Sequence, residues 1–230
     1  MEEVLRAYDY SKVKSSNYSF VINDNYVKLV DNAKVKKIVL IVDIRDIFQL
    51  IHLAISYFLA QDNLLLVHST LVSKNGNGIL LIGDFGQGKT FLSKKFKEHG
   101  YEINSGDSTV IMNKNNKLFS TYGSKKIVSA KEISFINTNL KLVRIKKILL
   151  LVGIGVNADY VPIQIVDTLQ IFWKLWQHTT WQFTTPLTNR SIKVVDWLPK
   201  ELINLVSEYS KSNCPFFSIR GDSEKIVLNS

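Results

Sequence analysis

An α/β fold organised around a phosphate-binding loop is what this sequence predicts, and three observations predict it. Gly83-Asp84-Phe85-Gly86-Gln87-Gly88-Lys89-Thr90 is an unbroken G-x-x-x-x-G-K-[ST] run, a Walker A sequence. The apolar run Ile79 to Ile82 enters it directly, and Thr90 to Lys97 leaves it with apolar residues at helical spacing before stopping at Gly100. Strand-like and helix-like patterns both recur along the flanking chain, as an α/β domain requires.

The loop is built to hold phosphate. Its glycines let successive backbone N–H groups turn inward on a β-phosphate, Lys89 reaches the β- and γ-phosphates, and the Thr90 hydroxyl supplies a ligand for Mg2+. From average composition, the four fixed positions match by chance in roughly 1% of chains this long. A strand before the loop and a helix after it lower that figure. The predicted nucleotide contacts are Gly83, Asp84, Phe85, Gly86, Gln87, Gly88, Lys89, Thr90 and Phe91. The competing reading is a glycine-rich turn without ligand.

The elements are predicted in the following order. Tyr18 to Ile22 and Tyr26 to Val30 are short strands across the Asn23-Asp24-Asn25 turn, Lys36 to Asp43 is a third, and a buried helix runs from Ile44 to Ala60. Residues 1–60 thus form a β-rich cap or edge of the same globule, and 61–230 the domain that carries the loop. Leu64 to Ser73, Asn75-Gly76-Asn77-Gly78 and Ile79 to Ile82 make a β-hairpin, because Asn-Gly favours positive φ at both central positions. Further strands are predicted at Ile103, Thr109 to Met112, Lys117 to Ser120 and Lys147 to Val152. Pro162 is expected to open a helix with Ile165, Val166, Leu169, Phe172, Trp173 and Trp176 on one face, and Pro199 another with Leu202, Leu205, Val206 and Tyr209. A last strand spans Phe216 to Arg220. The tripeptide Arg220-Gly221-Asp222 reads as a strand end and turn rather than an adhesion signal, and Asp43 is a weak candidate for a Walker-B-type acid.

Composition narrows the class. At 230 residues and 46% hydrophobic content, the chain buries a full core and is not disordered. The single Cys214 excludes an intramolecular disulfide and suits a reducing compartment. Acidic residues stand where a signal peptide needs basic ones, and the longest apolar stretch, Ile47 to Ala60, is interrupted by Gln49, His52 and Ser56. The expectation is a cytoplasmic protein with no membrane segment. Most of the net charge of +9 lies between Lys114 and Lys147, where nine basic residues face Glu132 alone. That is a solvated basic surface or a docking surface for an acidic partner, with Lys125, Lys126, Lys146 and Lys147 as its candidates. Aromatic residues are sparse among these lysines, so nucleic acid is the weaker partner.

The hairpin carries a sharper expectation. If Asn75-Gly76 are the central residues, His68 faces Gly83; if the turn is Asn75 to Gly78, it faces Phe85. Either register sets His68 beside the loop, which distinguishes it from His52, His99 and His178, read as structural.

The ordered set His68-Ser69-Thr70-Leu71-Val72, Gly83 to Thr90, Glu98-His99-Gly100-Tyr101 and Ser105-Gly106-Asp107 resembles the catalytic domain of HPr kinase/phosphorylase and its small relatives, among them the serine kinases of lasso-type ribosomal peptides. The likeness covers roughly residues 64 to 112 well and the C-terminal half in outline. It implies a P-loop kinase domain of the HPr kinase/phosphoenolpyruvate carboxykinase-like type, a mixed sheet with flanking helices. It also implies ATP and Mg2+ as cofactors, an acidic protein or peptide acceptor, and homo-oligomers in some members. Carried over residue by residue, it implies Lys89 neutralising the transferring group, Thr90 and Asp107 as metal ligands, and His68 at the γ-phosphate.

One departure matters. Where the family pairs two aspartates, the first of them the general base, this chain has Gly106-Asp107. Asp107 takes over as base, or His68 or Asp84 does, or the protein binds nucleotide without efficient transfer. The expected function is an ATP-dependent kinase for a Ser or Thr hydroxyl on a protein or ribosomal peptide. The alternatives are a nucleotide-binding regulatory or assembly protein of the same fold, and an NTPase acting with nucleic acid.

Overall fold

The computed structural model describes residues 18–23, 26–31, 34–40, 55–56, 58–123, 126–128, 133–135, 142–155, 159–184 and 200–230. Asp43, His52, Lys125 and Pro199 lie outside them. Three N-terminal strands, β1 (Tyr18–Asn23), β2 (Tyr26–Asp31) and β3 (Lys34–Leu40), form an antiparallel sheet of their own. Of the predicted helix Ile44 to Ala60, residues 55–56 and 58–60 are helical, and the helix runs one residue further to Gln61. A short ladder pairs β10 (Lys126–Val128) with β11 (Ile133–Phe135).

The main sheet has nine strands and mixes parallel with antiparallel pairing. Its members are β4 (Leu64–Val67), β5 (Ser69–Lys74), β6 (Asn77–Ile82), β7 (Glu102–Ser105), β8 (Thr109–Lys114), β9 (Lys117–Gly123), β12 (Val143–Ile154), β13 (Val161–Ile165) and β14 (Phe216–Gly221). The order is β4-β8-β9-β12-β6-β5-β7, with β14 and β13 added beside β12. Strand β12 is central: one edge pairs in parallel with β6, and the other pairs first with β9 and then in parallel with β14.

The helices are α1 (Lys89–Glu98), α2 (Thr168–Thr184), α3 (Lys200–Ser210) and α4 (Ser223–Leu228). They cover both faces of the sheet, so β6 and β12 read as continuous apolar runs rather than alternating ones. Leu80, Ile82, Ile148 and Leu150 face one core with Leu175, Leu205 and Val206 of α2 and α3. Ile79, Leu81, Leu149 and Leu151 face the other with Leu92 and Phe96 of α1 and Ile226 of α4. Truncating one such leucine to alanine costs about 2–5 kcal/mol.

Two predicted elements are corrected. Pro162 does not open a helix; it lies in β13, which pairs with β14, and the missing proline N–H is tolerated at such an edge position. The helix begins at Thr168, where the Asp167 carboxylate accepts from the Leu169 and Gln170 amides at 2.7 and 3.2 Å. Leu64 to Ser73 is not one uninterrupted strand either. It breaks at His68 into β4, which pairs with β8, and β5, which pairs with β6 and β7. Among the described residues, no helix is long and apolar enough to cross a membrane.

Candidate functional site

The hairpin turn settles where His68 lies. Asn75 and Gly76 have φ of 53° and 77°, the positive pair that a two-residue turn demands, and the ladder runs from Lys74 opposite Asn77 to Ser69 opposite Ile82. One residue further on, His68 stands level with Gly83. A second antiparallel pairing is interrupted at the same place. Val67 faces Thr109 and Leu71 faces Ser105, the same register on both sides, yet the residues between do not pair. His68 occupies one strand break and Gly106-Asp107-Ser108 the other, which is why His68 and Asp107 are neighbours.

Asp107 is held in an unusual conformation. Its φ is 63°, and the Ser108 amide donates to the Gly106 carbonyl at 2.7 Å, which makes a γ-turn of the rare positive-φ kind. Buried hydroxyls pin this turn: Ser105 Oγ lies 2.5 Å from Thr109 Oγ1 and accepts from the Leu71 amide at 3.2 Å, and Thr109 Oγ1 donates to the Ser69 carbonyl at 3.4 Å. A local strain that persists because its surroundings over-determine it is characteristic of functional positions.

The glycines of the loop have separate reasons. A Cβ on Gly83 would come within 3.1 Å of the Leu151 carbonyl oxygen, and one on Gly88 within 2.9 Å of Ile154 Cδ1, so the loop backbone packs directly on β12. Gly88 also has φ of 88° as it caps α1, whose first turn carries no acidic residue and no side-chain cap. That end of α1 turns its first-turn amides and the positive end of the helix dipole to the loop.

Lys89, the first residue of α1, is buried. Its Nζ donates to the Gly83 and Asp84 carbonyls at 2.7 and 3.1 Å and lies 3.0 Å from His68 Nε2. Burial pulls its pKa down to about 8, and the nearby Asp107 and Asp84 carboxylates resist that shift. Because a protonated lysine only donates, Nε2 is the acceptor, and a neutral His68 ring carries its hydrogen on Nδ1. Nδ1 is the atom that faces Asp107, 3.8 Å from its Oδ1. Side-chain exposure separates the pair: 6% for His68, 33% for Asp107.

The structure brings together Gly83, Asp84, Lys89, His68 and Asp107. Thr90 follows Lys89 in the first turn of α1, and its carbonyl accepts from Ser93 Oγ at 2.9 Å. Phe85 is 90% exposed and Phe91 52%. Thr90 and Asp107 are hard oxygen donors of the kind Mg2+ takes, and no cluster of three His, Cys, Asp or Glu suited to a metal occurs among the described residues. Such a donor set fits an ion that completes its shell with phosphate oxygens and water. Lys146 and Lys147 lie elsewhere, at the Asn77 end of β6, where they line a cleft of about 260 Å3 with Lys74 and Tyr101. Lys126 falls on β10, with its side chain outside the described residues.

Two site residues come from α2 and have no signal in the sequence. Gln177 Nε2 donates to Asp84 Oδ1 at 3.3 Å, and the His178 carbonyl accepts from the His68 amide at 2.8 Å. The His178 ring is buried, and desolvation lowers its pKa to about 4 even with Asp84 opposing, so it is neutral at physiological pH. Its structural role was expected; its position against the loop was not, because only tertiary packing carries α2 there.

The sequence matches no protein-family model and no curated protein. Among solved structures it is similar to the HPr(Ser) kinase/phosphatase from Coxiella burnetii, at 14% identity over 71% of this chain and 89% of that chain, with a TM-score of 0.35.

Proposed function

We propose that this chain is a phosphotransferase that uses ATP and Mg2+ to phosphorylate a Ser or Thr hydroxyl on a protein or ribosomal peptide. The observation that carries the reading is the line Lys89–His68–Asp107 along one side of the phosphate loop, with contacts of 3.0 and 3.8 Å. Binding phosphate alone needs the loop and its lysine. An acceptor hydroxyl also needs somewhere to leave its proton, and the partly exposed Asp107 carboxylate beside the loop offers that place.

In this reading the loop amides hold the β- and γ-phosphates, and Lys89 exchanges its carbonyl partners for phosphate oxygens. The acceptor oxygen forms a bond to the γ-phosphorus as the bond to the bridging oxygen breaks, ADP leaves, and the hydroxyl proton passes to Asp107. His68 is a positioning residue that links Lys89 to Asp107. Mg2+, held by Thr90 and Asp107, would neutralise charge on the β- and γ-phosphates.

A second reading, a nucleotide-binding protein with little turnover, is favoured by one specific observation: Gly106 stands where a paired carboxylate would otherwise supply the base. Incubation with γ-labelled ATP and Ser-containing acceptor proteins and peptides, followed by mass analysis for an added phosphate, separates the two. Transfer supports the enzyme. Tight ATP binding with no transfer to any acceptor, together with transfer gained on Gly106→Asp, establishes the binding protein instead.

A further inference from the structure

The phosphate loop has two sides, and only one carries the groups of transfer chemistry. On the other, the carboxyl ends of β6, β12 and β14, three strands joined by parallel pairing, open onto a cleft of about 350 Å3 whose wall includes Gly86 and Gly88 of the loop itself. Crevices at the carboxyl ends of parallel strands are where open α/β sheets bind ligands, and this volume lies in the roughly 300–1,000 Å3 range of ligand pockets.

The lining selects a ligand class. Phe91 and Ile154 supply an aromatic face and an aliphatic one, and no lysine or arginine lines the cleft among the described residues. Its single charged side chain is Asp222, whose carboxylate accepts from the Glu224 and Lys225 amides as the cap of α4. Such a surface repels a second anion and suits a flat, uncharged ring with hydroxyl groups. Gly153 points the same way. A Cβ there would meet nothing within 4 Å and its φ is not in the left-handed region, so no close packing demands glycine, although the residue ends a register irregularity of β12 against β14. What the missing side chain does is leave the cleft open.

We infer that this cleft is the nucleoside subsite: a phosphate chain seated on the loop directs its base against Phe91 and its sugar across the main chain at Gly153. The inference rests on the phosphate-loop reading and adds residues from β12 and the β14–α4 junction that lie far from the loop in sequence.

Calorimetry with two probes tests it, ATP and inorganic tripolyphosphate, each with Mg2+, on folded wild type and two variants. Stacking of one base on an aromatic ring corresponds to roughly a five- to hundredfold change in affinity, so Phe91→Ala weakens ATP by about that factor. Gly153→Phe, which the open space accommodates, abolishes ATP binding and leaves tripolyphosphate binding within about twofold of wild type. ATP affinity unchanged in both variants, or equal loss of ATP and tripolyphosphate on Gly153→Phe, overturns the subsite while the phosphate-loop reading stands. Failure of wild type to bind either probe overturns the phosphate loop and this inference with it.

Discussion

The two ends of strand β6 handle buried lysine in opposite ways. At the Gly83 end, Lys89 is wrapped by two carbonyls and an imidazole within 3.1 Å, with Asp84 and Asp107 near enough to resist the downward pull of burial on its pKa. At the Asn77 end, Lys147 is half-buried, donates to the Ser230 carbonyl at 2.9 Å and lies 5.7 Å from the centre of the Phe217 ring. Burial lowers its pKa as well, with no carboxylate opposing. Lys74 beside it likewise rests on a carbonyl and the Tyr101 ring. One ammonium sits among acceptors that phosphate oxygens can replace; the others lie on aromatic faces, where cation–π attraction supports them. Lysine density in the sequence points to the second end, but it is the environment of Lys89 that suits an ammonium to phosphate.

The sharpest way to break this comparison is at Asp107. Asp107→Asn keeps the turn and removes the proton acceptor, so phosphoryl transfer falls by about 10^2–10^4-fold while ATP affinity changes little. His68→Ala is the milder lesion in the same transfer assay. If His68→Ala is the more severe, the histidine is the base and the assignment to Asp107 fails.

Next comes the lysine itself. Lys89→Ala removes a charge-assisted contact of about 1.5–3 kcal/mol, so ATP affinity drops roughly ten- to a hundredfold in a calorimetric titration. The same side chain costs stability without nucleotide. Because the folded-state pKa of about 8 lies below the ordinary 10.5, the charged form is disfavoured on folding. That penalty is complete below pH 8 and fades as pH rises towards 10.5. Lys89→Met therefore raises the melting temperature at pH 7, by an increment that shrinks between pH 8 and 10.5. A lower melting temperature for Lys89→Met at pH 7 means that the ammonium's hydrogen bonds outweigh its desolvation.

The smallest effect belongs to the other end. Lys146→Glu with Lys147→Gln leaves ATP affinity within about twofold, since the strand register sets these residues beside Gly78 and Ile79 rather than the loop. If these lysines dock an acidic acceptor, the same variant raises its KM and flattens its salt dependence. Equal losses for both substrates would show that the two ends are not independent.

What the sequence made legible was local. Ile79 to Glu98 is one contiguous strand–loop–helix unit, and the Asn75-Gly76 turn fixed the level of His68, because both depend on residues a few positions apart. The misreading of Pro162 has the same root. Proline suits the first turn of a helix and an edge strand equally, and the deciding signal was the Asp167 cap five residues on. Asp222 gives the same signal ahead of α4, a helix the sequence reading did not include. Gln177 and His178 are of another kind: nothing near them in sequence relates them to a loop some ninety residues earlier, and only the packing of α2 does. The paired strand breaks at His68 and Gly106 were hidden too, since Val67–Thr109 and Leu71–Ser105 keep one register across the interruption, which shifts only between Leu71 and Val72, and the apolar pattern gives no sign of the break.

Strand β12 has a consequence for how the molecule comes to be. The loop glycines rest against Leu151 and Ile154 of β12, which is paired along its other edge with residues 216–221. The backing of the loop is thus assembled from segments about seventy residues apart at each step, by parallel pairings that form slowly because loop closure precedes their reward. During synthesis the phosphate loop emerges early but gains its full support only when β14 has docked. If the loop binds nucleotide as proposed, nucleotide acts as a ratchet on that last step: at a concentration a hundred times Kd it favours the completed sheet by about 2.7 kcal/mol.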